Sequence, residues 1–162
     1  MKKSDLYRLK KGLESVGALK GFKFAYAVTK NLRLLREEIS VLDELRAPSV
    51  EYAKYETERF ELARQHSKRD EGGNPITTIS DNGHPVCTVL DIRAFEKALE
   101  DIAAKYESTI EEHNAKIQHY EEFLEEKSEI ELFKINQEFI PDDISGDQVD
   151  GILEIIRGDK TS

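Results

Sequence analysis

Asp70-Glu71-Gly72-Gly73-Asn74-Pro75, followed by Ile76-Thr77-Thr78-Ile79, Asp81-Asn82-Gly83-His84 and Val86-Cys87-Thr88-Val89, is the stretch that decides the fold. The turn formers at 70–75 cannot sustain a helix. The two β-branched runs flank an Asn-Gly pair, which predicts a β-hairpin over residues 76–89. On both sides the apolar spacing becomes helical. Toward the N-terminus, Val28, Leu32, Leu35, Ile39 and Leu42 recur at fours and threes, the seam of a helix packed along another helix. Pro48 interrupts or kinks that helix, and Tyr52, Tyr55, Phe60, Leu62 and Ala63 carry it to about Lys68. Toward the C-terminus, Asp91 caps a second helix whose stripe runs from Ile92, Phe95 and Leu99 to His113, Ile117, Tyr120 and Leu124. At 1.5 Å per residue this stripe spans roughly 50 Å, more than a compact domain of this size holds. The expectation is a long antiparallel helical hairpin, residues 24–69 and 91–127, with the β-hairpin at its tip and a small globule at its base.

The globule is read from the two ends of the chain. Ser4 or Asp5 caps a first helix carrying Leu6, Leu9, Leu13 and Val16, which Gly17 and Gly21 end. Ile130-Glu131-Leu132-Phe133-Lys134-Ile135 reads as a strand, and Asp142 to Gly158 as a final helix built on Val149, Ile152, Leu153, Ile155 and Ile156. The predicted class is mainly α with a small β component (α+β). It forms one domain over 1–162, divided into 1–21, 22–69, 70–90, 91–127 and 128–162.

The 162 residues are 35% charged and 38% hydrophobic, a polar mix typical of exposed helices and coiled coils. No apolar run approaches the roughly 20 residues of a membrane span, so neither a membrane protein nor an exported one is expected. Cys87 is the sole cysteine, which excludes an internal disulfide framework and suits a reducing cytoplasm. Charge is polarised along the chain. Residues 1–36 hold ten Lys or Arg against Asp5 and Glu14, about +8, and leave about −17 to the rest of a total of −9. The simplest use of this polarity is to lay the basic start against the acidic helix after Glu96. The acidic remainder also argues against nucleic acid as a partner.

Motifs for chemistry are few. No histidine has Glu three residues before it, no HExxH occurs, and Cys87 has only His84 nearby, across a turn. No metal and no cofactor are expected. The sequence contains no Gly-x-Ser-x-Gly elbow, Walker loop or dinucleotide fingerprint. His113 sits in the helical seam, where its ring would fill space beside Pro48 and bond a carbonyl freed there. His66 and Asp70 are spaced to touch on one helix face. Phosphate recognition has a more concrete candidate. Lys20, Lys23, Lys30 and Arg33 cluster about the start of the long helix, and Phe22, Phe24 and Tyr26 interleave with them and could stack on a base, although the simpler use of this segment is an aromatic anchor in the globule with its lysines in water. Tyr52, Tyr55, Tyr106, His113, Tyr120 and Phe123 exceed what one helical seam buries, and so predict an interface between copies of the chain.

Several of these pieces also resemble, in order and spacing, a family of small uncharacterised proteins of tailed bacteriophages and prophages. They are Asp5-Leu6-Tyr7 to Leu13, Lys23-Phe24-Ala25-Tyr26-Ala27-Val28-Thr29-Lys30-Asn31, Lys68 to Pro75, the helix around Phe95, and Ile140-Pro141-Asp142-Asp143-Ile144-Ser145-Gly146. The resemblance extends over most of the chain and implies a phage product acting in the cytoplasm of a bacterial host or in virion assembly. It carries no catalytic residues. Two functions are compatible with this reading, the first expected and the second its alternative. One is a non-enzymatic, oligomerising interaction protein that binds a phage or host protein, as an inhibitor of host defence or an assembly factor. The other is an oligomeric sponge that sequesters a nucleotide signal of bacterial antiviral defence, with Lys20, Lys23, Tyr26, Lys30 and Arg33 as its ligand residues.

Overall fold

Leu6, Leu9 and Leu13 fall on one face of helix α1 (Asp5–Ser15), and all three are buried together with Val16 just beyond it. They open the core of a structure that is mainly helical with one two-stranded antiparallel sheet. The computed structural model describes residues 1–80 and 85–157. The chain divides into two compact units, Met1–Ala47 with Gln118–Ser162, and Pro48–Ile117.

In the first unit, α1 packs on α2 (Phe22–Arg46), which buries Phe24, Ala27, Val28, Leu35, Ile39 and Leu42 along the predicted seam. Neither Ser4 nor Asp5 caps α1 through its side chain. The Asp5 carboxylate instead accepts the Lys2 N–H at 2.8 Å. The chain start runs antiparallel to the end of helix α5 (Glu107–Glu125), with Lys3 N–H on the Glu126 carbonyl and Ser4 N–H on that of Leu124, both at 3.0 Å. Helix α6 (Gly146–Ile152) is opened by a Ser145–Gln148 capping box, and the Gln148 amide donates onward to the Ser15 carbonyl at the end of α1. The α6 backbone approaches α1 at Gly12 and Gly151, where neither residue presents a side chain.

The expected strand at 130–135 is not formed. Ile135 makes an isolated parallel bridge to Ile156, its N–H on the Ile155 carbonyl and its carbonyl taking the Arg157 N–H, each at 2.8 Å. Without a second strand alongside, a ladder cannot propagate, and the remaining peptide groups need side-chain partners. The final helix is also shorter than expected. After Ile152 it tightens into a 3-10 turn at Leu153–Ile155, and Gly158 lies outside the described residues.

A polar relay sits within this unit. Tyr7 Oη donates to Asp43 Oδ1 at 2.8 Å and lies 3.1 Å from the hydroxyl of buried Tyr120. Burial first, then the bonds to Tyr120 and Asp43, pushes the Tyr7 phenol well above its ordinary range. The Tyr7→Phe protein leaves the Tyr120 hydroxyl without its partner. It is expected to lose about 1–2 kcal/mol, read as a lower urea midpoint at unchanged slope.

The second unit begins where Pro48 ends α2, as expected. Ser49 Oγ accepts the Tyr52 N–H and starts α3 (Val50–Gln65). The strands β1 (Thr77–Ile79) and β2 (Pro85–Cys87) pair antiparallel with Thr78 opposite Val86. The predicted Asn82-Gly83 turn lies outside the described residues. Lys68 is stitched to both flanks of the hairpin, its N–H on the Thr88 carbonyl at 2.7 Å and its carbonyl taking the Ile76 N–H at 2.8 Å. At the 70–75 turn Asp70 accepts the Asn74 N–H, which lowers its pKa, and Gly73 adopts φ +80°, a left-handed conformation that favours glycine. Asp91 caps α4 (Ile92–Lys105) through the Ala94 N–H, as its sequence position predicted. The helix expected to run unbroken from 91 to 127 is interrupted at Tyr106, whose N–H is shared between the Ile102 and Ala103 carbonyls. Helices α3 and α4 pack together, yet neither contains a buried residue.

Candidate functional site

The basic, aromatic start of α2 is where sequence and structure meet. Gly21 precedes the helix at φ +122°, a backbone conformation that frees Phe22 to project, and the Phe22 side chain is 88% exposed. The adjacent Lys23 and, one helical turn on, Tyr26 line the same space. Across it stand Phe133, Lys134, Ile135 and Asn136, then Phe139 on the 3-10 turn Gln137–Phe139, and Arg157. These residues line an open pocket of ≈ 300 Å³ within the first unit.

Among the described residues the pocket is lined by four aromatic rings and three cations, and none of these lining residues carries a carboxylate. Tyr26 meets Phe133 edge to face, centroids 5.5 Å apart at 83°. Lys23 Nζ lies 3.8 Å from the centre of the Phe139 ring, and Lys30 Nζ lies 4.7 Å from that of Phe133. The Lys134 ammonium donates to the backbone carbonyl of Glu154. Arg157 is held beside it by the Ile135 bridge. Among the described residues, Lys20, Lys23, Lys30, Arg33, Lys134 and Arg157 form no ion pair. Lys2 and Lys3, by contrast, are engaged with Glu125 and Glu126 at 2.5 and 2.7 Å. The neutralisation expected of the whole basic segment is therefore confined, at these contacts, to its first residues.

Of the five ligand residues read from sequence, Lys23 and Tyr26 line the pocket and Lys30 reaches it through the Phe133 ring. Lys20 and Arg33 are exposed and do not line it. Phe24, read as a stacking surface, is buried in the core and unable to meet a ligand. The residues that sequence reasoning missed are Phe133, Lys134, Phe139 and Arg157. Lys134 and Arg157 do add cations to an apolar tail, but nothing local ties them to α2.

The expected interface residues divide in the same way. Tyr120 is buried and Phe123 packs against the same core under the Lys3 ammonium, 3.7 Å from its ring centre. Both fill their own chain rather than a partner's, because the chain start covers the end of α5. The other four form a ring cluster in the second unit. His113 stacks on Tyr52 at 3.5 Å and 16°, Tyr52 meets Tyr55 at 5.5 Å, and Tyr55 meets Tyr106 at 5.7 Å. His113 Nδ1 is buried without a hydrogen-bond partner, so the expected bond to a freed carbonyl is not made by that nitrogen. Tyr106 Oη and Lys105 Nζ both donate to Glu58, and these bonds, Lys105 foremost, lower the Glu58 pKa. His66 packs against Phe95 rather than engaging Asp70, which is occupied by Asn74.

Two further observations bound the chemistry. Among the described residues, no group of three His, Cys, Asp or Glu side chains is placed to hold a metal ion. No described helix is long and apolar enough to cross a membrane. Comparison of the chain with protein-family models, with curated proteins and with solved structures finds no match.

Proposed function

We propose that the protein is a non-enzymatic binding protein whose pocket at the start of α2 captures a nucleotide. The observation that carries this reading is the pocket wall, whose described residues bring together four rings and three cations. Rings offer stacking surfaces to a base, and base–aromatic stacking contributes about 1–3 kcal/mol per base. Ammonium and guanidinium groups supply charge-assisted hydrogen bonds to phosphate oxygens. In this reading the cations hold phosphate directly, without a bridging divalent ion. The resemblance to phage proteins makes a nucleotide signal of bacterial antiviral defence the fitting ligand and the bacterial cytoplasm the fitting place. Retention without turnover is the action proposed for the pocket.

A second reading is supported by the second unit. Phe60, Val86, Leu90 and Ile92 are at least one-third exposed there, and neither α3 nor α4 buries a residue. Such surface suits self-association or a phage or host protein partner. The long antiparallel hairpin and the homo-oligomer read from the sequence are retained as parts of this proposal, supported by the packing of α3 on α4 about the β-hairpin.

Native mass spectrometry of protein purified from bacteria separates the readings. The nucleotide reading predicts a retained anionic small molecule that survives EDTA treatment and is lost from the Lys23→Glu protein. A ligand-free chain that captures a protein partner contradicts it.

A further inference from the structure

We infer that Asn31 is the positioning residue of the pocket, holding one wall in register through both the nitrogen and the oxygen of its side-chain amide. This rests on the reading of the pocket as a nucleotide site. Asn31 is fully buried in the middle of α2. Its Nδ2 donates to the Phe133 carbonyl at 2.9 Å, and its Oδ1 accepts the Phe133 N–H at 2.8 Å. The side chain thus pairs with one peptide residue as a neighbouring strand would, across 102 positions of sequence.

The pairing matters because residues 131–134 belong to no regular element. Two residues on, Ile135 is fixed by its bridge to Ile156. Phe133 and Lys134 are therefore anchored at both ends, by Asn31 on one side and by the bridge on the other. The Phe133 ring is the one that Tyr26 and Lys30 both approach. Releasing the clamp frees the ring, disperses the stacking surface and moves the adjacent ammonium. A buried asparagine with both groups satisfied is costly to alter, since either substituent change leaves a peptide group unpaired. A ligand gains affinity from a wall already in place rather than one ordered on binding.

The experiment uses the full-length chain, with linear and cyclic nucleotide monophosphates as probes, titrated calorimetrically against wild type, Asn31→Asp and Asn31→Ala. Amide hydrogen exchange is followed by NMR in the same samples. The expected result is a loss of about tenfold or more in affinity in both variants. In Asn31→Ala, which removes the acceptor, protection should fall at the Phe133 amide while the Leu9 and Leu35 amides keep theirs, a local signature that general destabilisation would not produce. Should the variants not fold, wild type alone decides, because saturation with nucleotide should raise protection at the Phe133 amide. Affinity within about twofold of wild type in a variant whose Phe133 amide has lost protection overturns the inference. So does an unchanged Phe133 amide in saturated wild type. Failure of wild type to bind any probe, by contrast, overturns the nucleotide reading itself.

Discussion

Replacing Gly12 by alanine is expected to destabilise the first unit by about 3 kcal/mol, although the same change in an exposed helix interior ordinarily adds about 1 kcal/mol. The sign reverses because a Cβ at Gly12 would fall onto the carbonyl oxygen of Gly151 and reach 2.9 Å from its Cα. Those are backbone atoms of α6 and do not rotate away. The helices must separate, and with them Ile152 and Ile155 leave the core they share with Leu9 and Leu13. At about 4–8 °C per kcal/mol for a unit of this size, the midpoint of thermal unfolding should fall by about 15 °C. Gly17→Ala is the control. Its Cβ comes no closer than 3.4 Å to the Glu14 carbonyl, so little change is expected. Equal midpoints for the two variants would contradict the close approach of α1 and α6.

The second large effect is on binding. Lys23→Glu combined with Arg157→Glu reverses two of the three pocket cations, and nucleotide affinity should fall by at least about a hundredfold. Both side chains are exposed, so stability should move by only about 0.5 kcal/mol. Lys20→Glu with Arg33→Glu makes the same change in net charge outside the pocket. That pair should weaken binding only by a long-range field that 0.15 M salt largely screens. If the two pairs lose affinity alike, the cations act as a diffuse patch and the pocket is not the site.

These contrasts also mark where sequence reading succeeds and stops. The α1 and α2 stripes, the break at Pro48 and the Asp91 cap are local features, set by spacing, by a missing N–H or by one side chain, and were legible. The break at Tyr106 was not, for neither Pro nor Gly lies beside it. The segment around Phe133 has strand-like composition, but its hydrogen bonds go to Asn31 and to Ile155 and Arg157 rather than to a neighbouring strand. A side chain standing in for a strand leaves no periodic trace. For the same reason half the pocket was hidden. Lys23 and Tyr26 announce a basic, aromatic helix start, whereas Phe133, Phe139 and Arg157 arrive from more than a hundred residues away through packing that no spacing encodes. Gly12 illustrates the converse, since inside a helical stripe it reads as a weak position until Gly151 is laid against it.

The most direct measurement is isothermal titration calorimetry of the wild-type protein against linear and cyclic nucleotides at physiological salt. Nucleotide capture by the pocket at the start of α2 predicts a stoichiometric titration with Kd below about 1 μM for one member of the panel, unaffected by EDTA and abolished by Lys23→Glu with Arg157→Glu. Absence of heat across the whole panel, from protein that is folded and competent to bind a protein partner, would contradict it.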